Sequence, residues 1–119
     1  MDSPLPRLYL FDQDFHQDGI ADIEGAVLEE LSKLACLDAV GEGSSVAVTA
    51  GSRGIRHINR VTAAVVRYFK SLGARPFIIP AMGSHGGSTA EGQMAILASY
   101  GITEEAMGCE VRSSMEVVT

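Results

Sequence analysis

Cysteine is scarce in this chain. Cys36 and Cys109 are the only two among 119 residues, they lie far apart, and no metal-ligand spacing joins them. That usage points to two reduced thiols in a cytoplasmic protein rather than to a disulfide framework. Long apolar runs are missing too. None approaches the ~18 residues of a membrane span, so no membrane association is expected. The opening Met1-Asp2-Ser3-Pro4 has no basic n-region and no apolar h-region, so no secretory signal is read there. Internal repeats, low-complexity tracts and long linkers are absent. The reading is one α/β domain over residues 1–119, or part of one. Acidic residues are missing from a long internal stretch, with none between Glu42 and Glu91.

What is present suits a folded domain. Hydrophobic residues make up 46% and charged residues 20%, a balance too apolar for a disordered chain. The net charge of -6 argues against non-specific nucleic-acid binding, which needs a basic face. Against that acidic background, Arg53, Arg56, His57 and Arg60 cluster in a glycine-rich stretch. A local site for a small anion is one reading of the cluster, and a solvated helix end is the other.

The order of elements alternates strand and helix. Arg7 to Phe11 reads as a short first strand, and Asp12 to Asp18, with His16, as a polar turn. Ile23, Val27, Leu31, Leu34 and Ala35 recur at helical spacing, with Asp22 as N-cap and Gly41 to Gly43 closing the segment. Val46 to Val48 is a short apolar run of the kind found in buried parallel strands. Val61, Ala64, Val65, Tyr68, Phe69 and Leu72 follow the i, i+3, i+4, i+7 pattern of an amphipathic helix, with Asn59 as its cap and Gly73 as its end. Phe77 to Ile79 reads as a second buried strand. Ser88 and Glu91 have capping-box spacing for a third helix running to Tyr100 and stopped by Gly101. Glu116 to Thr119 reads as the start of another strand, so the chain's end is expected to be a truncation, and an unfinished sheet edge favours a homo-oligomer.

Strand 46–50, helix 59–72 and strand 76–80 form a βαβ unit. Its right-handed crossover makes the strands parallel and brings the turns at 51–56 and 81–87 to one carboxyl edge, where open α/β sheets bind ligands. The second turn, Gly83-Ser84-His85-Gly86-Gly87-Ser88-Thr89, is small or glycine everywhere except His85. Glycines allow close backbone approach, the following helix start offers free N–H groups, and a histidine there exchanges protons near neutral pH. The equally balanced alternative is a loop whose histidine faces solvent. The first turn, Gly51-Ser52-Arg53-Gly54, supplies a guanidinium suited to a carboxylate or phosphate. The second turn contains neither a Walker A sequence nor G-x-G-x-x-G. Met82 occupies the glycine position that a nucleophile elbow around Ser84 requires, which makes a Ser84 hydrolase a weak third reading.

Pro80-Ala81-Met82-Gly83-Ser84-His85-Gly86-Gly87, followed by Thr89-Ala90-Glu91-Gly92-Gln93, resembles the loop-helix signature of the nickel-pincer lactate racemase family. Val46 to Gly54 is similar to that family's earlier strand-turn, and the likeness covers about residues 45 to 119. It implies a Rossmann-like three-layer α/β fold with a mostly parallel sheet, here the truncated N-terminal portion of a larger two-domain enzyme. It implies a racemase or epimerase acting on a small anionic 2-hydroxy acid by proton abstraction and reversible hydride transfer. The implied cofactor is a nickel-pincer nucleotide whose lysine tether and metal-binding histidine belong to the C-terminal part that is missing here. No metal ligand is assigned to this chain, and the fragment by itself is expected to be inactive. By match to the motifs, His85 is the acid/base residue, and Ser52, Arg53, Gly83, Ser84, Gly86 and Gly87 contact substrate or cofactor. The chain departs from the racemases at Ala50, where they carry aspartate, and at Gly86, where they often carry arginine. The resemblance is therefore to a branch other than the true lactate racemases. The alternative is a non-catalytic anion- or nucleotide-binding module built on the same two turns.

Overall fold

A computed structural model describes residues 8–15 and 19–117, and for Cys36 the backbone only. Its elements run α1 (Ile23–Ser32), a 3-10 turn (Ala35–Ala39), β1 (Ser45–Ala50), α2 (Ile58–Ser71), β2 (Arg75–Pro80), a 3-10 turn (His85–Ser88), α3 (Ala90–Ser99) and α4 (Glu104–Met107). The architecture is mixed α/β. β1 and β2 are parallel, in register from Ser45 opposite Arg75 to Ala50 opposite Pro80, so the expected βαβ unit is present. The pairing runs one residue past the strands, where Ala81 N–H donates to the Ala50 carbonyl at 2.8 Å. That extra bond fixes the start of the two turns that follow the strands at the same level.

Alternation along the strands decides where the core lies. Ala50 and Ile78 point to the face that α2 and α3 cover. They pack there with Val66, Met82, Leu97, Ile102, Met107 and Val111. Ala47 and Thr49 on the opposite face stay exposed, and Phe77 and Ile79 are half-buried. Ile78 and Leu97 are fully buried, and each such side chain contributes about 1.5–3 kcal/mol of burial free energy. α2 is apolar on two sides. Val66 joins the sheet-side core, while Val61 and Val65 line a groove against Ile23, Val27 and Leu31 of α1. The stripe read from the sequence thus combines two contact surfaces, a few residues apart around the helix.

Several boundaries differ from expectation. Leu8 to Phe11 form no strand, and Arg7 lies outside the described residues. A strand persists only when its backbone has a pairing partner, and these side chains remain open to solvent, Leu10 completely so. The third strand position falls earlier than Glu116. Val111 bridges Ile78 in parallel, Ile78 N–H donates to the Glu110 carbonyl, and Arg112 N–H donates to the Ile78 carbonyl. Residues 113–117 have no regular structure, and 118–119 lie outside the described residues. Arg112 also stacks over the Phe77 ring at 4.1 Å and ion-pairs with Glu110 at 2.7 Å, which holds the Glu110 carboxyl below its ordinary range.

Capping explains the remaining shifts. Asp22 caps α1 as expected, accepting from Gly25 N–H at 2.9 Å. α2 begins at Ile58 behind His57, which holds a left-handed backbone (φ 61°), so Asn59 lies inside the helix. α3 is capped by Thr89, not Ser88. Thr89 Oγ1 accepts from Gly92 N–H at 3.0 Å, because Ser88 has a positive φ of 56° and its hydroxyl donates back to the Ser84 carbonyl. Gly73 and Gly101 end α2 and α3 with positive φ, as expected of residues after a C-cap.

Candidate functional site

Parallel pairing carries Gly51 and Ala81 to the same edge, and the turns that follow close around one cleft of about 510 Å³. Its lining takes Gly51, Ser52, Arg53 and Ile55 from the first turn and Ala81 to His85 from the second. Five of the residues expected to carry function, Ser52, Arg53, Gly83, Ser84 and His85, are therefore brought together. Gly86 and Gly87 are not part of this lining. Both have a φ of 67°, and they turn the loop back toward α3.

The contact that joins the turns is a hydrogen bond between the Ser52 hydroxyl and Nδ1 of His85, across 33 positions of sequence. Ser52, read from its motif as a ligand contact, is thus already engaged with the histidine. His85 Nε2 makes no hydrogen bond among the described residues, and His85 itself is an exposed residue of the cleft lining. Arg53 is exposed and forms no ion pair among the described residues, so its five N–H donors are available to an anion. Among the described residues no carboxylate lines the cleft, and an anionic ligand meets no like charge from them there.

Each turn is anchored from beneath. Met82, at the root of the second turn, is buried in the core. The buried Gln93 side chain of α3 donates to the Gly83 carbonyl at 2.8 Å. Tyr100, the C-cap of α3, donates its hydroxyl to the Ser52 carbonyl at 2.7 Å. Gly92 allows the loop to lie against the helix, since a β-carbon there would sit 1.8 Å from the Gly86 carbonyl oxygen. In the sequence, Gln93 reads only as a member of the loop-helix motif and Tyr100 only as the end of the third helix, neither with a role in the site. A lone polar side chain on the apolar side of α3 was the one available signal for Gln93, and nothing in the sequence singled out Tyr100.

The other histidines lie elsewhere. His57 and Arg56 line a separate cleft of about 480 Å³ with Gly19, Ile20, Ala21, Ile23 and Val61. His16 lies outside the described residues. Among the described residues, no three His, Cys, Asp or Glu side chains group as a metal site, and no helix is long and apolar enough to cross a membrane. No protein-family model, curated protein or solved structure matches the chain.

Proposed function

We propose that this chain supplies the acid/base half of the active site of a racemase or epimerase acting on 2-hydroxy acids, within a larger α/β enzyme. The observation that carries the reading is the pairing of Ser52 with His85 at the mouth of a cleft that also holds Arg53. A 2-hydroxy acid offers a carboxylate and a neighbouring hydroxyl. Arg53 suits the carboxylate, which its planar fork can hold through two hydrogen bonds. His85 Nε2 suits the hydroxyl. It takes the hydroxyl proton as the α-carbon gives up hydride and holds that proton on an imidazolium, while a second histidine, in the remainder of the parent enzyme, would serve the opposite enantiomer.

The nickel-pincer nucleotide suggested by the loop motif would, when bound, supply the hydride acceptor. The residues of this cleft fit the half of such a site that receives the hydroxy acid, with one free ring nitrogen, one unpaired guanidinium and no opposing carboxylate. Nickel coordination and the lysine tether are assigned to the remainder of the parent enzyme, whose further elements would also complete a three-layer, Rossmann-like domain. Cytoplasmic location belongs to the same reading.

His85→Ala in the parent enzyme is expected to slow interconversion of the two enantiomers of a 2-hydroxy acid by about 10²–10⁴-fold, the usual contribution of a placed general base. Undiminished inversion of a 2-hydroxy acid by that variant would remove His85 from the mechanism. The second reading, an anion- or nucleotide-binding module, draws on the unpaired Arg53 in the same cleft. Calorimetric binding of a nucleotide by this chain, with no isomerisation by the parent protein, would favour it. The Ser84 hydrolase loses ground, because the His85 ring engages Ser52 instead.

A further inference from the structure

A histidine that works through one nitrogen needs the other one held. In the cleft, Nδ1 of His85 meets the Ser52 hydroxyl, and Ser52 is itself held through its backbone by Tyr100 at 2.7 Å. The loop that carries His85 is held at its other end by Gln93, whose Nε2 donates to the Gly83 carbonyl at 2.8 Å. Tyr100 and Gln93 both belong to α3, one at its C-cap and the other in its first turns. A single rigid element therefore fixes both turns, and its root is the fully buried Leu97.

We infer that α3 is the positioning element of the site, with Tyr100 and Gln93 clamping the two turns so that Ser52 holds Nδ1–H of His85 and leaves the Nε2 lone pair facing the substrate. This rests on the reading of His85 as a general base. In the neutral ring, Nδ1–H donates to Ser52 Oγ and Nε2 carries the lone pair. When Nε2 takes the substrate's hydroxyl proton the ring becomes imidazolium, and the Nδ1–H bond to Ser52 is kept, so no partner has to be exchanged during the step. The reverse tautomer would place a proton on Nε2 and leave nothing there to accept one. Tyr100 touches no reacting atom. It acts through the Ser52 carbonyl, which sets where the Ser52 hydroxyl stands.

The test is the tautomeric state of His85, read from long-range proton–nitrogen correlations on the ¹⁵N-labelled chain and assigned with His85→Gln. The neutral ring is expected to be a single Nδ1–H tautomer, and Tyr100→Phe is expected to disperse it into a mixture while leaving the circular dichroism unchanged. If Tyr100→Phe disturbs the fold, Ser52→Ala provides the same readout by removing the partner atom directly. In the parent enzyme, Tyr100→Phe is expected to lower the rate of enantiomer interconversion about 10- to 100-fold, as a small misplacement of a catalytic group does, with little change in KM. A mixed tautomer in the unsubstituted chain, or a single tautomer that survives both substitutions, would overturn the inference. A single tautomer dispersed by Tyr100→Phe, in a parent protein that inverts no 2-hydroxy acid, would uphold the positioning role and sink the racemase reading.

Discussion

Gly86 and Gly92 meet where the His85 loop folds onto α3. A β-carbon on Gly92 would lie 1.8 Å from the Gly86 oxygen, and one on Gly86 would lie 2.4 Å from the Gly92 carbonyl carbon. Backbone faces backbone at this point, so no flexible side chain can give way. Gly92→Ala is expected to cost about 2 kcal/mol or more and to shift the loop, which denaturant unfolding and the His85 resonances would both register. Gly87 has open space around its missing side chain and a positive φ. Gly87→Ala is therefore expected to cost only the left-handed strain of about 1–2 kcal/mol. Glycine content made the loop's tight turns legible in the sequence. Which glycine faced another backbone was not, because that depends on how the loop lies on α3. Cys109 offers a separate check. Burial pushes its thiol above the ordinary range, and Lys70 only partly opposes that shift. A raised value means less thiolate at a given pH. In a Cys36→Ser background, Cys109 is expected to react with iodoacetamide more slowly than free cysteine at pH 8 and to speed up as pH rises.

Elements with a strong period were readable, and elements that depend on a distant partner were not. β1, α2 and β2 lie within a residue or two of their expected limits, because local apolar pattern and turn residues agree there with the tertiary packing. α4 was not anticipated. It is a single short turn of helix, capped by Thr103, whose hydroxyl accepts from Ala106 N–H. The third strand position at Val111 also escaped notice, since one bridging residue leaves no alternation to read. Ile78 sits where these elements converge, fully buried and bonded on both backbone groups to the 110–112 segment. Ile78→Ala is expected to lower unfolding free energy by about 2–5 kcal/mol, and a urea titration would show it as a lower midpoint. The same substitution in the exposed Ile55 should fall within about 0.5 kcal/mol of the unsubstituted chain.

The molecule is more extended than its length suggests. The radius of gyration is 19.3 Å, against about 13 Å for a compact domain of ~100 residues. Leu8, Tyr9, Leu10, Phe11 and Phe15 all stand exposed, so the apolar run read as a first strand adds nothing to the core described here. Replacing Leu8, Leu10 and Phe11 together with serine is expected to leave the melting temperature nearly unchanged and to reduce self-association, as seen by size-exclusion chromatography. The run was legible as apolar. Its lack of a pairing strand is a property of the whole arrangement and could not be read locally.

At this scale the two turns matter most, because residues 33 positions apart in sequence share one cleft. The most direct test is a chemical-shift titration of the ¹⁵N-labelled chain with D- and L-lactate as probes. Saturable shifts appearing together at Ser52, Arg53, Ser84 and His85, and lost in Arg53→Ala, are the predicted result. Saturable shifts confined to the cleft around Arg56 and His57, or no saturable shift at all, would contradict it.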